Sequence, residues 1–208
     1  MNDRLHPLPD REQILLLEPF EGLGLADIRV VATRADADQA AAELLASRVV
    51  GFDTESKPTF AKNEVSGGPH VIQFATQRSA WLFQLHRRES HDTLCMLLAS
   101  PALLKAGFGL SGDLSLIRQR FGIEPGGIFD IDSEFRRRGY RQSIGVKVAV
   151  ALVFDQRFVK SRKATTSNWA NRDLSDAQLR YAANDAYAAL RVFDALGLGR
   201  VLEKAAEN

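Results

Sequence analysis

One cysteine in 208 residues, Cys95, excludes an intramolecular disulfide and leaves no Cys-based zinc site. It lies in Leu94-Cys95-Met96-Leu97-Leu98, where a buried thiol is expected and a reactive one is not. No apolar run approaches the roughly 20 residues that span a bilayer. The opening stretch Met1-Asn2-Asp3-Arg4-Leu5-His6 lacks the apolar core of a signal peptide, so a cytoplasmic protein with no membrane partner is expected. A charge excess is missing too. With 27 Lys and Arg against 26 Asp and Glu the net charge is +1, so any nucleic-acid affinity must come from local patches. Internal repeats and low-complexity tracts are absent. The 45% hydrophobic content that is present suits one large domain with a real core and an appended segment.

Residues from Met1 to about Ala26 carry Pro7, Pro9 and Pro19 around the apolar patch Ile14-Leu15-Leu16-Leu17. They read as an extension (1–26) that packs on the remaining domain (27–208) or on a partner. Ile28-Arg29-Val30-Val31 is a short strand, and the Ala-rich segment from Ala35 to Ala46 is a helix by propensity. Val49 to Phe52 forms the next strand, followed by a polar loop with Pro58, Gly67, Gly68 and Pro69. Val71 to Ala75 and Ala80 to Phe83 are strands joined by Thr76-Gln77-Arg78-Ser79, which makes a hairpin. A helix from His91 to Ala99, a strand from Leu103 to Phe108, a helix from Asp113 to Arg120 and a strand at Ile128-Phe129-Asp130 follow. Helices are expected over Ile131–Arg138, Gly145–Phe154 and Asp176–Leu196. The last opens on the capping box Ser175-Asp176-Ala177-Gln178 and stops at Gly197. The pattern implies an α/β fold, a mixed sheet covered by helices.

The chemistry gathers at Val49-Val50-Gly51-Phe52-Asp53-Thr54-Glu55. Residues i and i+2 of a strand share a face, so Asp53 and Glu55 project together. Two like charges on a buried strand need a positive partner, and a divalent cation is the simplest. A solvated acidic turn would account for this pair taken alone. Asp113 follows a strand and a glycine turn at a helix start, a place that favours any Asp. Asp185 lies mid-helix, one turn from Tyr181. The apolar stripe through Leu179, Ala183, Ala186, Leu190 and Phe193 leaves Tyr181 and Asp185 on its flank.

Three segments together resemble the motifs of the DEDD superfamily of 3′–5′ exonucleases. They are Gly51-Phe52-Asp53-Thr54-Glu55, Gly107-Phe108-Gly109-Leu110-Ser111-Gly112-Asp113, and Tyr181-Ala182-Ala183-Asn184-Asp185-Ala186-Tyr187. The third is of the tyrosine variety found in ribonuclease D and in Werner-type exonuclease domains. Gly145-Val146-Lys147-Val148-Ala149 is similar to a helix that usually begins Gly-Leu-Lys, with Val146 and Val148 as departures. The stretch from Lys160-Ser161-Arg162 to Ser167-Asn168-Trp169 resembles the one preceding the third motif in Werner-type members. The likeness runs from about Ile28 to Leu196. The sequence carries neither the helical domain that follows the nuclease domain in ribonuclease D nor a helicase, so neither full substrate range is implied.

The resemblance implies a ribonuclease H-like fold, with a mixed sheet of five to six strands flanked by helices on both faces. It implies release of nucleoside 5′-monophosphates from a 3′ end of DNA or RNA, single-stranded or otherwise accessible. Two divalent ions about 3.5–4 Å apart, Mg2+ or Mn2+, would assist. Asp53 would bridge both ions, Glu55 and Asp185 would complete one site, and Asp113 would hold the other through waters. Tyr181 would orient the attacking water, since a phenol with a pKa near 10 is a poor base. Lys147, Lys160, Arg162 and Lys163 are candidates for phosphate contacts, while Thr54 and the loop with Phe60 are candidates to line the terminal-nucleotide pocket. Trp169 is expected in the core, Arg136-Arg137-Arg138 at a solvated helix end, and no catalytic role falls to His6, His70, His86 or His91. Two alternatives stand beside this reading. One is a catalytically silent nucleic-acid-binding or scaffold module on the same fold, and the other is an RNA-restricted trimming enzyme.

Overall fold

The computed structural model describes residues 7–59 and 67–199, with the side chain of Arg162 left out. Chain order begins with helix α1 (Arg11–Leu16), strand β1 (Glu18–Pro19), strand β2 (Ile28–Val31) and helix α2 (Arg34–Ser47). Strands β3 (Val49–Glu55), β4 (Val71–Ala75) and β5 (Ala80–Gln84) follow, then helix α3 (His91–Ala99), strand β6 (Leu104–Gly107) and helix α4 (Ser111–Phe121). The chain closes with β7 (Ile128–Asp130), α5 (Ile131–Arg137), α6 (Val146–Phe154), β8 (Gln156–Arg157), α7 (Arg162–Thr165) and α8 (Asp176–Ala195). Six strands form one sheet in the order β2-β5-β4-β3-β6-β7. β4 runs antiparallel to both neighbours, and the other pairings are parallel. This is the mixed, helix-flanked sheet expected of a ribonuclease H-like fold, and Ala75 opposite Ala80 closes the expected hairpin.

The pleat of β3 decides what each face receives. Val50 and Phe52 point to one side, where they join Ile72, Phe74, Trp81 and Phe83 under α2, α3 and α4. The Phe52 and Phe74 rings lie 5.4 Å apart, and Phe74 meets Phe83 edge-on at 5.8 Å. Val49, Gly51, Asp53 and Glu55 point the other way, toward α6 and α8. There α8 presents a run of alanines, and Gly51 makes its close approach possible. A Cβ at Gly51 would sit 1.8 Å from the Ala186 carbonyl oxygen.

Because α8 sinks this far, it is buried around most of its circumference, including Asp185 at 4% exposure. The expected flank position of Asp185 is therefore corrected: it lies inside. Ser175 and Gln178 form the expected capping box at the helix start. Trp169 is in the core at 1% exposure.

The segment before β2 is stitched to this same face. Glu18–Pro19 pairs in parallel with Gln156–Arg157. The Phe20 ring meets Phe154, Phe158 and Tyr187 at 5.5–6.2 Å. Asn184 Oδ1 accepts from the Leu23 backbone N–H at 2.6 Å, so motif three also anchors this segment. Within the early apolar patch, Leu15 and Leu16 stay exposed. Cys95 is half-buried and not fully enclosed as expected, and burial raises its thiol pKa. Among the described residues no helix is long and apolar enough to cross a membrane.

Candidate active site

β3 and α8 deliver three carboxylates to one point. Oxygens of Asp53, Glu55 and Asp185 lie within 4.8 Å of one another. Asp53 and Glu55 arrive from successive outward positions of β3, and Asp185 descends from the helix admitted by Gly51. A cavity of about 220 Å3 opens beside them, lined by Phe52, Asp53, Phe108, Lys160 and Asp185 with the start of α6 at Gly145 and Val146. Burial pushes Asp53 well above the carboxylate range, and the charges of Asp185 and Asp113 add to the rise. Burial, then Asp53 and Asp185, lift Glu55 from 4.5 to about 9.

Lys160 is the local cation. Its Nζ lies 2.7 Å from Asp185 Oδ2 and sits over the rings of Tyr181 at 5.2 Å and Phe158 at 5.9 Å. Burial opposes its charge, but Asp185 and Tyr181 hold the ammonium's pKa above its ordinary value. Asp185 nevertheless keeps a raised pKa, because burial outweighs the pull of Lys160 and Tyr181. Among the described residues one ammonium is paired within a group of three carboxylates. Both Asp185 oxygens are buried, and Lys160 is the one group ion-paired with them among the described residues. Three crowded carboxylates with a single paired ammonium are costly to ionise unless a further cation joins them. An oxygen-only set of three carboxylates fits a hard divalent ion, and a zinc site would call for His or Cys.

Asp113 is placed differently. It stands in the first turn of α4, on the sheet face of Thr54, and its Oδ1 accepts the Thr54 hydroxyl proton. Burial raises its pKa while that bond lowers it. Asp113 acts on Asp53 through charge but is outside the three-carboxylate cluster. Thr54 is 8% exposed and its hydroxyl is bonded to Asp113. Tyr181 Oη lies 3.3 Å from Thr165 Oγ1, and burial raises the phenol pKa. Lys147 is exposed on α6 and acts on Asp185 through charge, and Lys160 lines the cavity while ion-paired with Asp185. Lys163 is exposed. The Arg162 side chain and Phe60 lie outside the described residues.

Three supports escape reading from the sequence. Asp130 takes the backbone N–H groups of Gly109 and Leu110 at 3.1 Å each and caps α5 through Asp132 N, fixing the turn that starts α4. Asp132, 4% exposed, accepts from Ile144 N at 2.6 Å and Ser143 Oγ at 3.1 Å, which holds the loop leading to Gly145. Gln73 stands opposite Asp53 in the ladder, fully buried, with neither amide atom partnered among the described residues. The arginines at 136–138 are more than a solvated helix end, because they neutralise the buried Asp132 and Glu134.

A mixed sheet with this carboxylate centre at the end of a middle strand defines a nuclease-like domain. Residues 28–199 match the 3′-5′ exonuclease family profile, and the chain belongs to that family. It is 29% identical over 168 residues to the mouse bifunctional 3′-5′ exonuclease/ATP-dependent helicase WRN, covering 77% of this chain and 12% of that protein. It is 27% identical over 150 residues to a 3′-5′ exonuclease of Arabidopsis thaliana, covering 71% of this chain and 52% of that one. The chain thus spans from about an eighth to about half of these relatives' lengths. The fold superposes on Trypanosoma brucei RNase D in complex with RNA U12 with a TM-score of 0.72. That pair is 21% identical, covering 89% of this chain and 64% of the other.

Proposed function

We propose that this chain is a divalent-metal-dependent 3′–5′ exonuclease that hydrolyses the terminal phosphodiester of accessible DNA or RNA and releases nucleoside 5′-monophosphates. The observation that carries the reading is the triad of half-buried Asp53 and Glu55 with buried Asp185, whose oxygens lie within 4.8 Å of one another, with one ion-paired ammonium beside it among the described residues. Asp53, Glu55 and Asp185 would hold Mg2+ or Mn2+, and Asp113 would assist a second ion. When bound, such ions supply an activated water and charge neutralisation at the leaving 3′ oxygen.

The chain's own groups do the remainder. Asp130 and Gly109 set where Asp113 points, and Gly51 sets how far α8 brings Asp185 toward Asp53. Tyr181 keeps its proton at neutral pH, so it serves as a hydrogen-bonding and orienting group and not as a base. The Lys160 ammonium faces the cavity that would take the terminal nucleotide and offsets charge when a phosphate enters.

The test uses 5′-labelled single-stranded DNA and RNA with Mg2+, Mn2+ or EDTA. Laddering from the 3′ end that EDTA stops is expected. Tight binding with no shortening in either metal would leave a binding module in its place. Relatives named as an exonuclease/ATP-dependent helicase and as ribonuclease D leave the substrate open, which makes matched DNA and RNA oligomers the informative pair.

A further inference from the structure

A second concentration of cationic groups lies outside the carboxylate cavity. Leu85, His86, Arg88, His91, Arg120 and Phe121 line an open cavity of about 600 Å3, with no carboxylate among the described lining residues. His86, Arg88 and Arg120 are exposed, and neither arginine has a salt bridge among the described residues. Arg120 Nη1 donates to the Gly67 carbonyl at 3.0 Å, which steadies it at the rim. Two more arginines stand close. Burial, then Arg87 and Arg172, hold His86 below its ordinary pKa, against the weaker opposing pull of Asp173 and Glu89. Gln84 Nε2 donates to the carbonyls of Asn171 and Arg172, fixing that loop beside the end of β5. Phe121 meets His91 edge-on at 5.5 Å and gives the cavity an apolar wall.

Two routes through the fold put this cavity at the same distance from the carboxylates. Across the sheet, His70 N donates to Glu55 O and Leu85 N donates to His70 O, each at 2.8 Å. Leu85 is therefore two strand spacings from Glu55, roughly 10 Å. Along α4, Asp113 and Arg120 are separated by seven residues, again roughly 10 Å at about 1.5 Å per residue. A stacked strand rises about 3.4 Å per nucleotide, so the gap matches about three nucleotides.

We propose that the cavity between Leu85 and Phe121 is a second nucleic-acid subsite that grips the substrate's phosphodiester backbone upstream of the bond cut at Asp53, Glu55 and Asp185. Arg88 and Arg120 provide planar forks suited to phosphate oxygens, and His86 adds a neutral donor. Contacts of this kind set affinity and register without reading sequence. In a chain of net charge +1, Arg88 and Arg120 would supply a local patch for a polyanion.

The proposal rests on the nuclease reading, so its test separates the two. Binding of fluorescein-labelled 12-mers of single-stranded DNA and RNA is measured in EDTA by polarisation, from 50 to 200 mM salt, for wild type and R88A/R120A. Hydrolysis of bis(p-nitrophenyl) phosphate with Mn2+ is followed in parallel, because this small diester cannot reach the second cavity. Two lost phosphate contacts lower the salt slope by about 1.4 for a single strand, so wild-type affinity should fall about sevenfold more than the variant's over that range. Small-diester turnover and melting temperature should stay within twofold and 2 °C, respectively, of wild type, on the order expected for exposed substitutions. R88K/R120K should restore the slope. An unchanged slope in R88A/R120A overturns the subsite, as does an equal loss on a dinucleotide, which cannot span the gap. Failure of wild type to hydrolyse the small diester overturns the nuclease reading while the binding comparison still reports on the cavity.

Discussion

The crowded carboxylates make the metal-free chain sensitive to pH in a direction opposite to ordinary acid denaturation. Glu55 is lifted from 4.5 in the unfolded chain to about 9 in the folded one. Between those values the folded chain keeps a proton that the unfolded chain has released. The stability this group confers is complete below pH 4.5 and drains away as pH rises toward 9. At about 1.4 kcal/mol per pH unit, the loss from pH 4.5 to 7 is about 3 kcal/mol. For a chain of this length that lowers Tm by about 6–12 °C. Asp53 and Asp185 are raised in the same direction by burial, so they steepen the slope. The assay is thermal melting from pH 5 to 8 in EDTA, for wild type and Glu55→Gln, the difference isolating the site from the background charge. Saturating Mn2+ should cancel the slope by holding the carboxylates ionised. Ligand at one hundred times its Kd adds about 2.7 kcal/mol. A wild-type-minus-variant difference that is flat with pH, and a melting curve indifferent to Mn2+, would refute the argument that these groups form one desolvated anionic site.

Other perturbations separate the roles of the remaining residues. Asp53→Asn and Asp185→Asn should abolish release of labelled mononucleotide, whereas Tyr181→Phe should leave a slowed but measurable rate; a fully active Asp185→Asn would remove that carboxylate from the chemistry. Gly51→Ala drives a Cβ to 1.8 Å from the Ala186 carbonyl, so α8 must move off β3. Either the chain unfolds at 25 °C or Mn2+ no longer raises its Tm, and a wild-type metal response would contradict the close packing. Lys105 is fully buried on β6 and its ammonium donates to the carbonyls of Leu97, Ser100 and Leu103 at 2.8–3.0 Å, closing the end of α3. Lys105→Met leaves these acceptors bare and should cost about 3 kcal/mol in urea unfolding, with small-diester kinetics unchanged.

How far the sequence reveals this site depends on which interaction makes each part. The hairpin, the helix from His91 to Ala99 and the capped start of α8 follow from local signals, namely alternation, turn residues and a capping box, and the structure has all three. The pairing of Glu18–Pro19 with Gln156–Arg157 is two residues long and joins segments far apart in sequence, so no window of periodicity contains it. The stripe on α8 misleads about Asp185 for a related reason. A helical pattern shows which face is most apolar, but the depth of burial is set by the partner, and here the partner is a glycine on β3.

The same strand shows why four motif carboxylates do not make one equivalent set. Asp53 and Glu55 share a face, and Thr54 between them faces the other way. An acidic residue meeting the first pair must come from α8, and one meeting Thr54 must come from α4. Asp185 and Asp113 do so. Spacing along the chain cannot distinguish the two approaches, because both motifs lie beyond long connections. The pleat does distinguish them. Asp113 reaches the centre past the edge of β3, tethered by a hydroxyl that belongs to the first motif. Breaking that tether with Thr54→Val should therefore leave the tight Asp53–Glu55–Asp185 site able to bind its ion while weakening any second one. Isothermal titration with Mn2+ reads this as retention of one binding event and loss of affinity in the other. Equal weakening of both would show that Thr54 supports the site as a whole and that the two faces are not independent.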